Sequence, residues 1–275
     1  HKEKVYLRTR IHCSPSIGNW KKKLLARKNW KEYSFPKDIF KPVIFFGMYR
    51  PFDYLKFILH RGKKTIIWTG SDILQAGWWY RIIEHIKANH ICENNLERTV
   101  LTLMLGKELK MEPLFFSNPD DYPVSFKPSK KPHVYLFVHS GHGAEIQGGL
   151  DLLHRIAPRC PDISFHVYGL KTPPTGLIGA VAGNVQYHGA VPEAELEEEI
   201  KNYQCHLRLH EFDGFSDGTG KSILMGQWPI TRIPFPRIDS FRTEEELIGL
   251  LKNLKNKKKP NPYRNWWYEK LKVLI

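Results

Sequence analysis

Cysteine is rare in this sequence, and no long apolar run is present. The 275 residues include four cysteines, Cys13, Cys92, Cys160 and Cys205, which are widely scattered and form no C-x-x-C pair. This scarcity argues against a disulfide framework or a thiolate zinc site and indicates a reducing compartment. No apolar run approaches the roughly 18 residues of a membrane span, and no signal-peptide pattern opens the chain. We therefore predict a cytoplasmic protein, at most peripheral at a membrane.

Acidic residues are also in deficit. The chain has 28 Asp and Glu against 42 Lys and Arg, which gives a formal net charge of +14. Residues 1–121 hold 22 basic and 12 acidic residues, whereas residues 122–275 hold 20 and 16. Such a surface attracts anions at long range, which favours nucleic acid, an anionic membrane or a phosphorylated substrate as a partner. No recognisable nucleic-acid motif is present, so we expect no specific nucleic-acid partner.

Apolar strands alternate with helical segments from residue 41 onwards. P-V-I-F-F-G, K-T-I-I-W-T-G-S-D and I-C-E-N each precede a helical stretch, which is typical of βαβ units around a buried parallel sheet. Residues 117–132 collect Pro, Ser and charge like an interdomain linker, and a second series of strands begins at Val134. We therefore predict an α/β protein with two Rossmann-like domains, residues 1–121 and 122–260, that face a cleft.

The stretch D-G-F-S-D-G-T-G-K-S, residues 213–222, contains most of a P-loop. The pattern G-x-x-x-x-G-K-[ST] fits at residues 220–222 but fails at Phe215, where it needs Gly. A P-loop follows the first strand of its fold, whereas this stretch follows the last predicted strand, C-H-L-R-L-H. We expect instead a glycine-rich turn before a helix that starts near Thr219, whose free amides and positive dipole end bind a diphosphate.

Four segments of the second half resemble, in the same order, the nucleotide-binding domain of group 1 glycosyltransferases, the retaining enzymes of the GT-B fold. V-Y-L-F-V-H with S-G-H-G resembles the opening strand and turn, and H-V-Y-G resembles the second strand. N-V-Q-Y-H-G-A-V-P-E-A-E-L resembles the family segment v-x-f-x-G-x-v-x-x-x-x-L. D-G-F-S…G-x-W-P-I resembles E-G-F-G…E-A-x-A-x-G-x-P-V. The resemblance covers residues 134–232 and is weaker in the first half.

The resemblance implies a glycosyltransferase. Such an enzyme would move a sugar from a nucleoside-diphosphate sugar to an acceptor hydroxyl, with retention and without a metal or another cofactor. The donor would bind the second domain, and the acceptor, a saccharide, a lipid-linked molecule or a protein, would bind the first. The resemblance also implies that residues 261–275 form a helix that crosses back to the first domain.

Candidate site residues follow from the resemblance and from the position of ligands at the carboxyl ends of strands in open α/β sheets. The candidate catalytic carboxylates are Glu211, Asp213 and Asp72. The candidate residues for the nucleotide sugar and its diphosphate are His139, Gly141, Gly143, Gly169, Val191, Gly214, Gly218, Thr219, Gly220, Lys221 and Ser222. The candidate residues on the acceptor side are Gly18, Asn19, Gly47 and Arg50.

Two departures from the family pattern concern the donor. The family spaces two carboxylates eight positions apart, but that count reaches Lys221 from Asp213 and Thr219 from Glu211. The basic residues of the family's first C-terminal loop are also not clear, since His139 and its neighbours stand there. We hypothesise that Lys221 supplies the cation that those missing residues would have supplied.

Other interpretations stay open. Asp72 and Asp217 are also consistent with helix N-caps. Residues 19–33, N-W-K-K-K-L-L-A-R-K-N-W-K-E-Y, place Trp20 and Leu24, with Leu25 beside them, on one side of a basic helix. This pattern predicts packing on the first sheet or docking on an anionic membrane. The histidines show no recognised metal-ligand spacing, so we predict no metal site. For the whole chain, the alternatives are a P-loop-like ATP-dependent kinase or ATPase and a non-catalytic polyanion-binding protein.

Overall fold

The structure of this protein is a computed structural model. It describes residues 9–28, 30–138, 148–174 and 182–273, and of Asn19 and Lys28 it describes the backbone alone.

The chain divides into two compact units. The first contains His1–Asn118 and Phe212–Phe215, and the second contains Pro119–Glu211 and Ser216–Ile275. The division thus falls before residue 121, at which we placed the domain boundary. The short segment Phe212–Phe215, which we assigned to the second domain, groups with the first unit.

A parallel sheet of six strands lies at the centre of the first unit, in the order β2-β1-β3-β4-β5-β6. The strands are β1 (Arg10–Cys13), β2 (Lys31–Glu32), β3 (Val43–Phe46), β4 (Lys64–Ile67), β5 (Asn89–Cys92) and β6 (Lys110–Met111). The helices are α1 (Gly18–Lys28), α2 (Pro51–Leu59), α3 (Ser71–Gln75), α4 (Tyr80–Ile83) and α5 (Asn95–Leu105). All four residues of β3 are buried, as expected for a central strand of a parallel sheet.

The helices of the first unit divide between the two faces of its sheet. The strands β3, β4, β5 and β6 are neighbours in chain order, so their right-handed connections place α2, α3, α4 and α5 on one face. The connection from β1 to β2 runs in the opposite direction and places α1 on the other face. In α1, Leu24 is fully buried and Trp20 packs on Phe116, with ring centroids 5.2 Å apart. For the helical part of the segment 19–33, the packing alternative is therefore the one that the structure shows.

The second unit also contains a parallel sheet of six strands, in the order β12-β11-β10-β7-β8-β9. Its strands are β7 (His133–Phe137), β8 (Ser164–Tyr168), β9 (Val185–Gly189), β10 (Cys205–Arg208), β11 (Ile230–Thr231) and β12 (Asp239–Ser240). Its helices are α6 (Leu150–Ile156), α7 (Glu193–Ile200), α8 (Asp217–Leu224), α9 (Glu244–Asn253) and α10 (Arg264–Lys272).

Read from the other edge, the second sheet has the strand order 3-2-1-4-5-6 of the doubly wound Rossmann fold. The first sheet is also wound in both directions, from β1. These two sheets confirm the predicted α/β fold of two Rossmann-like units. None of the helices in the described part of the chain combines the length and the apolar character that a membrane-spanning segment requires.

The last helix, α10, packs on α8 and on the turn Pro119–Asp121, all within the second unit. Its side chains Trp267 and Leu271 are fully buried. The structure therefore groups this helix with the second unit, and its return to the first domain stays a prediction.

Candidate functional site

The topological switch point of the second sheet lies between β7 and β10, where the connections leave in opposite directions. Ligands of doubly wound sheets bind outside the carboxyl ends of the strands at such a point. The segment after β7 contains the predicted residues His139, Gly141 and Gly143, which lie outside the described residues. Gly149, just before α6, lies close to the end of β10: an added Cβ would lie 2.5 Å from Cβ of Leu209.

Two glycines hold the neighbouring strand ends close together. Gly169 follows β8 with φ of +92°, and an added Cβ would lie 2.0 Å from the carbonyl oxygen of Val138. Its amide donates to the carbonyl of Gly189, at 2.7 Å. Val191, which we predicted to contact the nucleotide sugar, follows Gly189 by two positions and is half-buried. At this edge of the sheet the backbone of residue 169 contacts the backbone of Val138 directly, and a side chain at residue 169 would collide with that backbone.

The first turn of α8 lies at the same edge of the sheet. Its N-cap residue Ser216 makes no side-chain bond to the turn, and the first amide of the helix ladder, that of Gly220, donates to the carbonyl of Ser216 at 3.0 Å. The amides of Gly218 and Thr219 thus precede the first bond of the helix ladder. Amides in this position, together with the helix dipole, favour an anion.

The G-T-G-K-S motif lies inside α8, whose first residue is Asp217. An added Cβ on Gly218 would lie 2.5 Å from Nε2 of His206 on β10. Thr219 Oγ1 lies 3.1 Å from Nδ1 of the same histidine, and Ser222 Oγ accepts the backbone amide of His206 at 3.3 Å. Gly218, Thr219 and Ser222 therefore pack the helix on its strand, and Gly220 lies in the helix ladder.

The buried amine of Lys221 lies among three carboxylates, of which that of Asp217 is buried, that of Glu197 is half-buried and that of Glu193 is exposed. Its Nζ lies 2.7 Å from Glu197, 3.1 Å from Asp217 and 3.5 Å from Glu193. Burial alone would lower the pKa of this amine, but Asp217, the ring of Tyr122 and Glu197 raise it above its ordinary value. This position does not support the predicted contact of Lys221 with a diphosphate, because the cation already balances neighbouring anions.

Glu211 is exposed at the end of β10. Its Oε1 lies 2.8 Å from Nη2 of Arg232, in a pair open to solvent. Glu211 therefore stands where the sequence predicts it, at the carboxyl edge of the second sheet, and its carboxylate is accessible.

At the switch point of the first sheet, between β1 and β3, Asp53 ties the two strand ends together. Its carboxylate accepts a bond from Ser14 Oγ at 2.6 Å and from the amide of Arg50 at 2.9 Å, and it lies 2.7 Å from Nε2 of His12. Burial alone would raise the pKa of Asp53, but these bonds lower it. Ser14 is fully buried, so this group is structural.

Three of the residues predicted on the acceptor side meet at this switch point. The side chain of Arg50 is exposed, and its Nε donates to Ser16 Oγ at 3.2 Å. Gly47 has φ of +67°, and an added Cβ would lie 3.0 Å from the Ile17 side chain. Gly18 follows directly and begins α1. The side chain of Asn19 lies outside the described residues.

Asp72 is fully buried and binds backbone amides. Oδ1 accepts the amide of Thr69 and Oδ2 accepts the amide of Met48, both at 3.0 Å. Burial raises the pKa of this carboxyl to about 7. The N-cap of α3 is Gly70, without a side-chain bond, so the N-cap interpretation of Asp72 is wrong. The buried carboxylate instead holds the loop amides of Thr69 and Met48 in place.

The segment Phe212–Phe215 packs within the first unit. The carbonyl of Asp213 accepts a bond from Nδ2 of Asn94 at 2.8 Å, and the amide of Phe215 donates to Oε2 of Glu93 at 3.0 Å. At Gly214 an added Cβ would lie 1.8 Å from the same oxygen of Glu93, so this position accepts no side chain without movement of Glu93. The predicted residues Asp213 and Gly214 thus lie together with a glutamate that we did not predict.

Glu93 and Glu97 form a buried pair after β5. Oε2 of Glu97 accepts the amide of Glu93 at 2.6 Å, and Oε1 of Glu93 accepts the amide of Leu114 at 3.1 Å. Burial raises the pKa of both carboxyls, and each responds to other carboxylates nearby. A sequence signal existed, since Glu93 follows a strand directly and Glu97 lies in the first turn of the helix after it.

Among the described residues, one group of side chains could hold a metal ion. The ligand atoms of His166, His188 and Glu199 lie within 4.8 Å of one another. In the structure these histidines form a chain across three strands: Nε2 of His166 faces Nδ1 of His133, and Nδ1 of His166 faces Nε2 of His188, each at 2.9 Å. Burial, followed by the two neighbouring histidines, lowers the pKa of His166 to about 4.

Comparison with known proteins finds similar structures but no similar sequence. No protein-family model matches the chain, and no curated protein matches it. The pneumococcal O-GlcNAc transferase GtfA, solved in complex with UDP and GlcNAc, matches with a TM-score of 0.56 and 10% identity. The match covers 83% of this chain and 53% of GtfA, so the chain spans about half the length of that enzyme.

Two further transferases are similar. The lipopolysaccharide outer core galactosyltransferase WaaB matches with a TM-score of 0.56 and 13% identity, over 83% of this chain and 70% of its own. The DNA-modifying β-glucosyltransferase, solved with and without uridine diphosphoglucose, matches with a TM-score of 0.53 and 11% identity, over 96% and 92%. At these identities the likeness shows the fold alone, which is that of GT-B glycosyltransferases.

Proposed function

We propose that this protein transfers a sugar from a nucleoside-diphosphate sugar to an acceptor hydroxyl. The observation that carries the proposal is the switch point of the second sheet, where glycine-lined strand ends adjoin a helix N-terminus without a side-chain cap. A diphosphate needs such an anion site. The similarity to transferase structures, two of which are described with a uridine nucleotide, makes a UDP-sugar the donor of choice for this proposal.

In this proposal the first turn of α8 binds the diphosphate and helps it to leave. The amides of Gly218 and Thr219 and the helix dipole would stabilise the charge that develops on the leaving group. The glycine edge at Gly169 and the segment that contains residues 139–143 would complete the donor side. Lys221 would hold α8 in place against α7 instead of contacting phosphate.

Glu211 and Asp213 are the proposed catalytic carboxylates, and the acceptor would bind the first unit near Gly47 and Arg50. Orientation of the acceptor hydroxyl against the sugar would supply much of the rate. Asp72 and Glu93 would act as positioning residues, since they hold the backbone of strand ends and of Phe212–Phe215. Retention and independence of a metal belong to this proposal as well.

The test is a calorimetric titration of wild-type protein and a Ser216→Asp variant with UDP, GDP, ADP, their common sugar conjugates and ATP, with and without magnesium. An Asp at the N-cap accepts the first-turn amides and stabilises the helix. We therefore expect at least about tenfold weaker binding of the donor nucleotide together with an unchanged or higher melting temperature.

Thr243→Asp provides the matched control, because Thr243 caps α9 in the same unit. This variant should leave nucleotide binding unchanged. Release of UDP and a glycoside product from a UDP-sugar would establish the transfer reaction, and the anomer of that product would show retention or inversion. Binding of Mg-ATP alone, or of no nucleotide, would contradict the proposal.

A further inference from the structure

Exposed apolar side chains are concentrated on one face of the first unit. Among the described residues, fourteen large apolar side chains are exposed, and eight of them lie on α2, α3, α5 and the turn Gly77–Trp79. These elements follow β3, β4 and β5 and cover the same face of the sheet. We call this surface the helical face. An apolar concentration of this kind is unusual on a protein surface that contacts water alone.

Helix α2 is apolar on both of its sides. Phe52, Leu55 and Leu59 are spaced i, i+3 and i+7 and form one exposed stripe, and Phe52 is 71% exposed. Tyr54 and Phe57 project from the opposite side and are buried in the core. A surface helix of a water-soluble domain normally presents polar residues outwards, so the outer stripe of α2 has no explanation in the packing of the unit.

Helix α5 repeats this pattern. Leu96 and Leu103 are spaced i and i+7 and are exposed, Leu103 to 79%, whereas Leu101 and Leu105 are buried on the other side. Helices α3 and α4 both pack against α5, so the three helices are neighbours on this face.

Between α2 and α3, a stack of three rings ends at the surface. Tyr54 and Trp79 stack with ring centroids 4.8 Å apart, and Trp79 and Trp78 stack at 4.0 Å. The outermost ring, Trp78, is 61% exposed. The stack fixes an indole at the surface, the kind of amphipathic ring that prefers a membrane interface.

The charges around the helical face are almost all positive. Residues 50–108 hold nine Lys and Arg and six Asp and Glu. Four of the six acidic residues are buried, namely Asp53, Asp72, Glu93 and Glu97. The acidic side chains of this range therefore do not offset the exposed basic ones, such as Arg81 and Arg98.

We propose that the helical face docks the protein on an anionic lipid membrane. The apolar stripes and Trp78 would enter the headgroup region, and the Lys and Arg side chains would bind anionic headgroups. The exposed leucines distinguish a lipid surface from nucleic acid, which would use the positive charge and the exposed rings but not the leucines. This surface differs from α1, which lies on the other face of the sheet and packs its apolar side inward.

The test uses the full chain in flotation with vesicles of phosphatidylglycerol and phosphatidylcholine, and with vesicles of phosphatidylcholine alone. We expect binding to the anionic vesicles, weakened by salt. The double variant Phe52→Ser, Leu103→Ser should bind at least about tenfold more weakly. The control is Val273→Ser, which removes an equally exposed apolar side chain from the second unit and should bind like wild type.

A second measurement does not depend on the double variant folding. Brominated phosphatidylglycerol should quench part of the tryptophan fluorescence of wild-type protein, and Trp78→Phe should remove that part. Equal binding of the double variant and wild type, or binding to neutral vesicles as strong as to anionic ones, would overturn the proposal. A wild-type dimer in solution that the double variant dissociates would overturn it as well and assign the face to a second copy of the chain.

Discussion

In the first unit, Asp53, Asp72 and Glu93 lie buried at the carboxyl ends of strands, and their oxygens accept bonds from backbone amides of the loops around them. In the second unit, Glu211 occupies the corresponding place after β10 and is exposed, with one ion pair to Arg232. The same residue type at the same place in a Rossmann-like sheet thus shapes loops in one unit and faces solvent in the other. Position at a strand end is therefore insufficient to assign a catalytic role, and burial decides between the two roles.

The buried cation of the second unit provides the largest expected effect. In Lys221→Ala, the buried Asp217 and the half-buried Glu197 lose their counter-ion, so we expect a loss of about 3 kcal/mol in the free energy of unfolding. Calorimetric unfolding measures it. The matched control is Lys201→Ala, which removes an exposed pair with Glu198 and should change stability little. Loss of nucleotide binding at unchanged stability would mean that Lys221 is a phosphate ligand after all.

Asp72→Ala should have the next largest effect. The amides of Met48 and Thr69 would lose their acceptor in a buried place, which we expect to cost about 2 kcal/mol of stability. Asp72→Asn keeps a side-chain oxygen as acceptor and should cost less. If both variants unfold like wild type but lose activity, Asp72 contacts substrate and the comparison between the two units fails.

The buried carboxylates of the first unit should also make its stability depend on pH. The pKa of Asp72 rises from 3.8 in the unfolded chain to about 7 in the folded one, so the folded first unit binds more protons between these values. Stability of this unit should therefore fall as the pH rises from 3.8 to 7, and the raised pKa values of Glu93 and Glu97 act in the same direction. Asp72→Asn should remove the part of this fall that the protonation of Asp72 contributes. Denaturant unfolding at several pH values measures both, and an identical slope in the variant would refute the assignment.

Glu211→Ala should have the smallest effect on stability, within about 0.5 kcal/mol, because its ion pair with Arg232 is exposed. If the proposed function is correct, the same variant should nevertheless lose most of its transferase activity. The free energy of unfolding and the turnover of a UDP-sugar, measured on one preparation, check the two statements together. A destabilisation as large as that of Asp72→Ala would place Glu211 with the structural carboxylates.

Much of the fold could be predicted from the sequence, because short apolar runs that alternate with helical stretches have few solutions other than parallel α/β units. The order of the strands within each sheet could not be predicted, since it depends on which strands pair with each other. The position of Glu211 at a strand end followed from the pattern alone. That Phe212–Phe215 belongs to the first unit could not be predicted. Glu93, whose carboxylate accepts the amide of Phe215, lies 122 positions earlier in the chain.

The carboxylates around Lys221 could not be predicted for a similar reason. The motif G-T-G-K-S indicates phosphate when it is read locally, but the carboxylate that accepts from Lys221, on Glu197, belongs to α7 and lies 24 positions earlier. Which side of a helix faces a neighbouring helix depends on packing. A glycine near a helix start is likewise ambiguous, since Gly218 allows close contact with His206 instead of with a ligand.

The chain of histidines across β7, β8 and β9 has a consequence for where its protons lie. Each of the two nitrogen pairs, His133 with His166 and His166 with His188, needs one donor and one acceptor. In the neutral chain, the tautomer of one ring therefore sets the tautomers of the other two. The three imidazoles have two allowed arrangements of opposite dipole direction, so they switch as a single electrical unit rather than ring by ring.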